Sequence, residues 1–455
     1  MMKEVYNIIK GIRSISSTKE KENILSKNKN NENLKIYLKY VYDKSQYNYY
    51  FRRDLRKLTE FKEESRTNIS FEQIKIIADI LSSRLYTGND AIAYISRIVE
   101  FSDDNSIELL QSLIDRDVKA GISVKTINKV WPSLINEMPY MRCSTLKKKS
   151  FSESDWEKGV YSQEKMDGEF ANIEKYNGEY SILSRQCSEY EITSDFNNVL
   201  KEVEQINIIN VNFTGEFIVF EDGSPLERGK SNGIMNSILK GGRLESNQEI
   251  HYYIWDYVPL EYFKPKGRFE RGYSSRFNVL QDIKDFKYVH LVDTRIIHSF
   301  NEAQEHFKYI VNVKKGEGLV LKKSDAIWRD GTSTEVFKWK PEAQCELRIV
   351  DVNWEGKGKN KDLFKSLICR SEDQLLEVAV SGFKDDKRKE IFNNIDQYMD
   401  KVISVKFNGI TKAENKDICS LTHPRFDGEV FHKTTPNNLS EIQDIFQSVL
   451  ELGGM

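Results

Sequence analysis

Apolar positions in the first 130 residues recur at helical spacing. Phe71, Ile74, Ile77 and Leu81 share one helix face, and Ser70 with Gln73 forms a capping box ahead of them. Asn105 with Glu108 repeats the device before Leu109, Leu113 and Ile114, and Gly121 with Ser123 reads as a helix stop and a capped restart. Pro132, Pro139 and the run Lys147-Lys148-Lys149-Ser150 then mark a linker over residues 131–150. Beyond it the period drops to two. Phe170, Asn172 and Glu174 alternate with Ala171, Ile173 and Lys175, and the Asn177-Gly178 turn before Tyr180, Ile182 and Ser184 predicts a hairpin. Further strands are expected at Phe213 to Phe220, His251 to Val258 and Gly318 to Lys322. After Pro341 come strands at Leu347 to Val352, Ser366 to Cys369, Leu375 to Val380 and Val402 to Phe407, with one helix from about Lys384 to Met399. That set fits a small barrel of the oligonucleotide-binding type, whose basic loop Gly356 to Lys361 suits a phosphate backbone. The expected class is multidomain α+β: a helical domain over 1–130, a strand-rich domain over 151–342 and a barrel over 343–455.

Charge sharpens this division. The chain as a whole carries a formal charge of -2, yet residues 1–130 hold 23 Lys and Arg against 18 Asp and Glu, a net +5, leaving -7 for the remainder. A basic N-terminal third suits a polyanionic partner. Around the Gly121 turn, Arg116, Lys119, Lys125 and Lys129 can offer cations to phosphates; the alternative is a helical hairpin with solvated lysines. Five cysteines without a Cys-x-x-Cys pair argue against a disulfide framework and a zinc ribbon, and for a reducing, cytoplasmic compartment. No apolar run approaches the length of a membrane span, so no membrane partner is expected.

Chemistry centres on Gln163-Glu164-Lys165-Met166-Asp167-Gly168-Glu169-Phe170. In an extended chain Lys165 and Asp167 share a face, and a desolvated lysine can lose its proton and attack an electrophile. Downstream lie Glu216, Glu317, and Lys338 and Lys340 flanking Trp339. Together these supply a nucleophile, carboxylates for a divalent cation and cations for a phosphate, the parts of a nucleotidyl-transfer site. Gly223 to Ser231 fails as a phosphate loop, because five residues separate Gly223 and Gly229 where four are needed.

Lys165-x-Asp-Gly, Ser184-Arg185, Gly215-Glu216, Tyr253 to Tyr257, Glu317-Gly318-x-x-x-Lys322 and Lys338-x-Lys340, in this order, resemble the motif series of the ATP-dependent DNA ligases. Asn128 to Pro132, Ser231-Asn232-Gly233 and Trp255 to Leu260 resemble stretches of bacteriophage members of that family. The resemblance implies an α-helical DNA-binding domain, an ATP-grasp-like nucleotidyltransferase domain of antiparallel sheets with helices, and a C-terminal OB-fold barrel. It implies that Lys165 attacks the α-phosphorus of ATP to give a lysyl-AMP, that AMP passes to the 5′-phosphate of a nick, and that the 3′-hydroxyl seals the strand, in replication, repair and recombination. It assigns Gln163, Glu164, Arg185, Glu216, Trp255, Lys338 and Lys340 to the nucleotide, with Trp255 stacked on adenine, and Glu216 and Glu317 to Mg2+. The partner would be nicked double-stranded DNA and the enzyme a monomer, in the infected bacterial host cell if a phage encodes it.

Two departures stand out. Many relatives carry an arginine where this chain has Phe170, and their C-terminal Arg-x-Arg-x-Asp-Lys motif is replaced here by Arg425 to Lys433, which keeps Lys433 but not those arginines. Rival readings are an RNA ligase, a capping-type nucleotidyltransferase, or a DNA-binding protein with a decayed transferase domain.

Overall fold

The computed structural model describes residues 2–49, 51, 53–58, 66–147, 149–283, 286–354, 363–412, 417–431 and 435–452. The basic loop 356–361, Lys148 of the lysine run, and His432 and Lys433 lie outside the described residues. The chain forms two compact units: one of residues 1–138, 181–192 and 236–244, the other of the remainder.

In the first unit the α-helices Met2–Arg13, Thr18–Lys27, Glu32–Tyr42, Phe71–Ser82, Gly88–Phe101, Asp104–Ile114 and Val124–Val130 share one apolar core that includes Ile9, Leu38, Ile77 and Leu110. Two polar side chains entering that core are paired: the Tyr37 hydroxyl donates to the Leu109 carbonyl at 2.8 Å and the Trp131 indole to that of Lys29 at 2.9 Å. Ser70 and Gln73 make both arms of their capping box, at 3.1 and 2.7 Å. The second expected cap is displaced. Asp103, not Asn105, accepts from the Ser106 N–H at 2.8 Å, because burial already begins at Ser106 and Ile107 and draws the helix start toward the N-terminus.

The same helix ends at Ile114, well short of Gly121. Arg116 takes a left-handed conformation with φ 58°, its N–H bonded to Leu113 and that of Asp117 to Ser112. These are the paired bonds of a Schellman stop, reached without glycine. Its side chain offsets the strain by lying over the Tyr49 ring at 4.7 Å and donating to the Tyr40 carbonyl at 3.3 Å.

The second unit contains two sheets that matter for the site. In the first, the order is Met141–Thr145, Gly331–Trp339, Leu319–Lys323, Val160–Glu164, Thr294–Ile297. Met141–Thr145 runs parallel to Gly331–Trp339, so part of the segment expected as linker is a strand of this sheet. In the second, Val211–Glu221 lies antiparallel between Glu169–Tyr176 and Gln248–Pro259. Asn177 and Gly178, at φ 50° and 83°, turn the chain as the sequence predicts. Asp222 and Gly223 make a similar turn into Ser224–Pro225, so the glycine of the failed phosphate loop serves a hairpin.

The alternation in Glu169–Tyr176 does not separate core from solvent. Asn172 is buried and accepts from Asn212 at 3.1 Å, while Lys175 is buried with its ammonium on the Glu204 and Ile206 carbonyls, both at 3.0 Å. That cation completes the C-terminal end of the helix Asn197–Gln205.

Two histidines in this unit make its stability acid-sensitive. His306 is fully buried with Nδ1 2.8 Å from the Ser162 hydroxyl, and His251 faces His290 across 2.8 Å. Burial pushes both rings down to about 4, with the positive charge of Arg295 adding to it at His306 and His290 at His251. The unfolded rings take protons near pH 6.5 and the folded ones resist until about pH 4, so stability is complete above the upper value and drains away as pH falls between them. Each ring accounts for about 3 kcal/mol across that window. Thermal unfolding should show a midpoint that drops from pH 7 to pH 5, and less so in a His251→Gln/His306→Gln variant; equal slopes in the two proteins would rule this out.

The C-terminal strands order as Glu377–Val380, Ser366–Arg370, Ala343–Asn353, Val402–Phe407, Arg425–Phe431, all antiparallel. The expected barrel is not closed. Its edge strands meet through an isolated bridge, Ser381 to Arg425, because the chain turns away at Gly382 with φ 83°. The single helix expected from Lys384 to Met399 is split at Asn394 into Asp385–Asn393 and Ile395–Tyr398. Helix Leu439–Leu452 places Ile442 in this core and Leu450 against the core of the first sheet, where the Leu450 carbonyl accepts from Asn312 at 3.2 Å.

Candidate active site

Val160–Glu164 belongs to one sheet and Glu169–Tyr176 to the other, so residues 165–168 are the crossing between them. Lys165 and Asp167 thus stand in a loop and not on a strand end. The crossing is pinned from both sides: the Lys165 N–H donates to the Gly318 carbonyl at 2.9 Å, and the Gly168 N–H to the Glu216 carboxylate at 2.6 Å. A side chain on Gly168 would place its Cβ 2.4 Å from the Phe217 carbonyl oxygen, which is why glycine stands there.

This pinning gathers the charged groups. The Glu317 carboxylate pairs with the Lys165 ammonium through one oxygen and with that of Lys340 through the other. Glu216, in the middle of Val211–Glu221, lies close enough to influence Lys165. Burial pushes the Glu216 carboxyl up to about 7, only partly offset by the Gly168 N–H and Lys165. Burial alone would lower the Lys165 ammonium, but Glu317, with Glu216 and Asp167 behind it, outweighs burial and holds it above its ordinary value. The expectation that desolvation would free this lysine of its proton is therefore reversed: at rest it is a held cation. The same pairing holds Glu317 below the usual carboxylate range despite burial.

Each of the remaining nucleotide candidates has its own surroundings. Trp255 is the bulge residue where Thr214 pairs with Asp256 but Gly215 with Ile254. Its half-buried ring lies 6.0 Å from that of Phe170, which in turn packs edge-on to Tyr140 at 5.1 Å. Phe170 is thus buried among aromatics and brings no charge. Gln163 is buried, its amide donating to the Tyr273 hydroxyl at 2.8 Å and to Thr294 at 2.9 Å. Glu164 accepts from Lys314 at 3.1 Å. Lys338 is exposed opposite Val320, while Lys340 lies just past the strand end and turns to Glu317. Arg185 is exposed at the end of Glu179–Ser184 and falls in the first unit.

Of the N-terminal cations, Lys119 pairs with Asp115 and Lys129 with Glu22, all but Arg116 are exposed, and Arg116 is turned inward as described above. In the C-terminal strands Arg425 pairs with Glu342 and donates to Asn408 at 3.0 Å, while Asp427 pairs with Lys406 at 2.6 Å.

The sequence motifs assign no role to three groups near the site, although Lys322 closes one of those motifs. The Tyr273 hydroxyl donates to the Trp255 carbonyl at 2.9 Å, and buried Lys322 donates to the same oxygen at 3.2 Å from over the Tyr273 ring. Arg228 pairs with Asp167 at 2.7 Å. Tyr273 and Arg228 lie far along the chain from their partners, and only folding brings them together.

The chain also resembles known proteins in sequence and in fold. Residues 141–340 match the family model described as ATP dependent DNA ligase domain, and residues 355–427 that of the DNA ligase OB-like domain. The DNA ligases of Enterobacteria phages T4 and T6 are each 27% identical to this chain over 495 aligned positions, spanning 99% of it and all of theirs. Among solved structures, "Pmar-Lig_Pre." superposes with a TM-score of 0.66 at 21% identity, over 93% of this chain and 98% of that one, so the fold is shared nearly end to end. With both family models in place and Lys165, Glu216, Glu317 and Lys340 of the motif series gathered at one crossing loop, the chain belongs to the ATP-dependent DNA ligase family.

Proposed function

We propose that this chain seals 5′-phosphate/3′-hydroxyl nicks in duplex DNA, with Lys165 as the nucleophile that carries AMP. The observation that supports this most is the shared Glu317 carboxylate between Lys165 and Lys340. It stores the nucleophile as an ammonium and releases it only when something else takes the carboxylate. A divalent cation bound with ATP would occupy that carboxylate; Lys165 then gives its proton to solvent, its amine attacks the α-phosphorus and pyrophosphate leaves, while Lys340, freed from the same acid, faces the α-phosphate with Lys338. The phosphoramidate then gives AMP to the 5′-phosphate of the nick, and the 3′-hydroxyl displaces AMP as the phosphodiester forms.

Among the described residues no group of three or more His, Cys, Asp or Glu could hold a metal by itself. Glu216 and Glu317 fit instead a cation that takes one or two carboxylates and completes its shell with phosphate oxygens and water, which is the habit of Mg2+. When bound, such a cation neutralises charge developing on the phosphates. Glu216 is primed for it, since a carboxyl raised by burial gains from any positive neighbour.

Gln163 acts in this reading by orienting its neighbours, and Glu164 lines the ribose side. The helical unit grips the duplex through exposed cations such as Lys119, Lys125 and Lys129, and the C-terminal strands serve as the OB-fold, with the enzyme working as a monomer. Among the described residues no helix is long and apolar enough to cross a membrane. The direct test is incubation of a nicked duplex bearing a labelled 5′-phosphate with ATP and Mg2+: label should become phosphatase-resistant in a full-length strand. Sealing of RNA nicks in preference to DNA would move the reading to an RNA ligase.

Trp255 offers a narrower check. A base stacked on an aromatic face gains about 1 to 3 kcal/mol. Trp255→Ala should raise KM for ATP about tenfold or more, while Trp255→Phe keeps it within a few-fold. If the ring only packs against Phe170, Trp255→Ala would lower thermal stability and leave KM unchanged.

A further inference from the structure

We propose that Arg228 is the residue that receives the 5′-phosphate of the nick at the mouth of the Lys165 site. This rests on the sealing function above and assigns a substrate contact within it. Position 170, on the strand leaving the crossing loop, is a buried phenylalanine between Tyr140 and Trp255 and cannot hold an anion. The guanidinium that stands beside the loop comes instead from the first residue of the helix Arg228–Leu239.

Arg228 reaches Asp167 through Nη1 at 2.7 Å, and its charge acts on Glu169 as well. One turn further along the same helix, the Asn232 amide donates to the Gly168 carbonyl at 3.4 Å, so the helix start is latched to the backbone of the loop that carries Lys165. Arg228 is nonetheless 56% exposed, so much of its donor fork faces solvent while Asp167 holds it in place. Lys165 and Lys340 are already engaged by Glu317, whereas Arg228 pairs, among the described residues, with a carboxylate that is itself 40% exposed. An exposed arginine–carboxylate pair is weak, and a phosphate monoester dianion accepts two parallel N–H bonds from the same fork, so the exchange of partner is favourable. The phosphate so held takes the place of Asp167 on the guanidinium, at the loop that carries Lys165 and its AMP.

The test uses the full-length chain loaded with AMP on Lys165, freed of ATP and kept in EDTA so that binding does not turn over. Equilibrium binding is measured to nicked duplexes that carry either a 5′-phosphate or a 5′-hydroxyl at the nick. The unsubstituted protein should prefer the phosphate by about tenfold or more. Arg228→Ala should bind both within about twofold, and Arg228→Lys, which keeps the charge but not the fork, should fall between. Comparable lysyl-AMP loading of each variant serves as evidence that its site is folded. An Arg228→Ala protein that retains the full preference overturns the assignment, as does one that keeps the preference but needs far more ATP for loading, which would give the guanidinium to the nucleotide's phosphates. A wild-type chain that loads AMP and prefers the phosphorylated nick but never seals it would sink the sealing function and leave the Arg228 contact standing.

Discussion

Lys165→Ala should carry no covalent label after incubation with α-labelled ATP and Mg2+, a loss of at least about a thousandfold against the unsubstituted chain. Lys165→Arg should fare no better, since a guanidinium stays protonated and is not a nucleophile. The structure also identifies the one neighbour that tests the assignment most severely. Lys340 shares the Glu317 carboxylate with Lys165, whereas Lys158 is tied to Asp325, Lys175 is buried on helix carbonyls and Lys322 donates to the Trp255 carbonyl. Lys340→Ala should slow labelling but not abolish it. Label that survives in Lys165→Ala and disappears in Lys340→Ala would make Lys340 the nucleophile. The bond formed is a phosphoramidate, so the label should be lost in acid.

The second large effect is on stability. Asp256 and Arg276 form a bidentate pair at 2.7 and 3.0 Å, exposed by 2% and 0% respectively. Asp256→Ala leaves a guanidinium buried without its counter-charge, which costs about 3 to 5 kcal/mol. Thermal unfolding of the second unit should move down by roughly 10 °C. Replacing both partners, as in Asp256→Leu/Arg276→Met, should recover most of the loss, because the penalty belongs to the unpaired ion and not to the pair itself. A single variant as stable as the parent would mean that water reaches Arg276. The pair also bears on chemistry: Arg276 lies in the helix Tyr273–Val279, whose Tyr273 fixes the Trp255 carbonyl. What survives folded in Asp256→Ala should therefore bind ATP more weakly than its parent.

The sequence by itself determined those elements that close within a turn or two, and the chemical inventory. Period-three-to-four spacing located the helix Phe71–Ser82 and its cap, because Ser70 and Gln73 satisfy the first N–H groups within four residues of chain. Asn177-Gly178 announced a hairpin because that turn demands two positive φ values, which these residue types adopt at least cost. Lys165, Glu216, Glu317, Lys338 and Lys340 were legible as a set through their motif order, and the family with them.

Tertiary structure decided what that inventory does. Sequence spacing put Lys165 and Asp167 on one strand, whereas packing made them a crossing between two sheets, held by Gly318 and Glu216 from distant segments. The charge state of Lys165 followed from which partner sits closest, and Glu317 is 152 residues away along the chain. Arg116 looked like a phosphate ligand by composition and proved to be a helix stop stacked on Tyr49. Residues 181–192 and 236–244 joined the N-terminal unit although both lie inside the span expected for the transferase. Local patterns report bonds closed within a turn or two; long-range electrostatics and burial depend on neighbours that only the folded chain supplies.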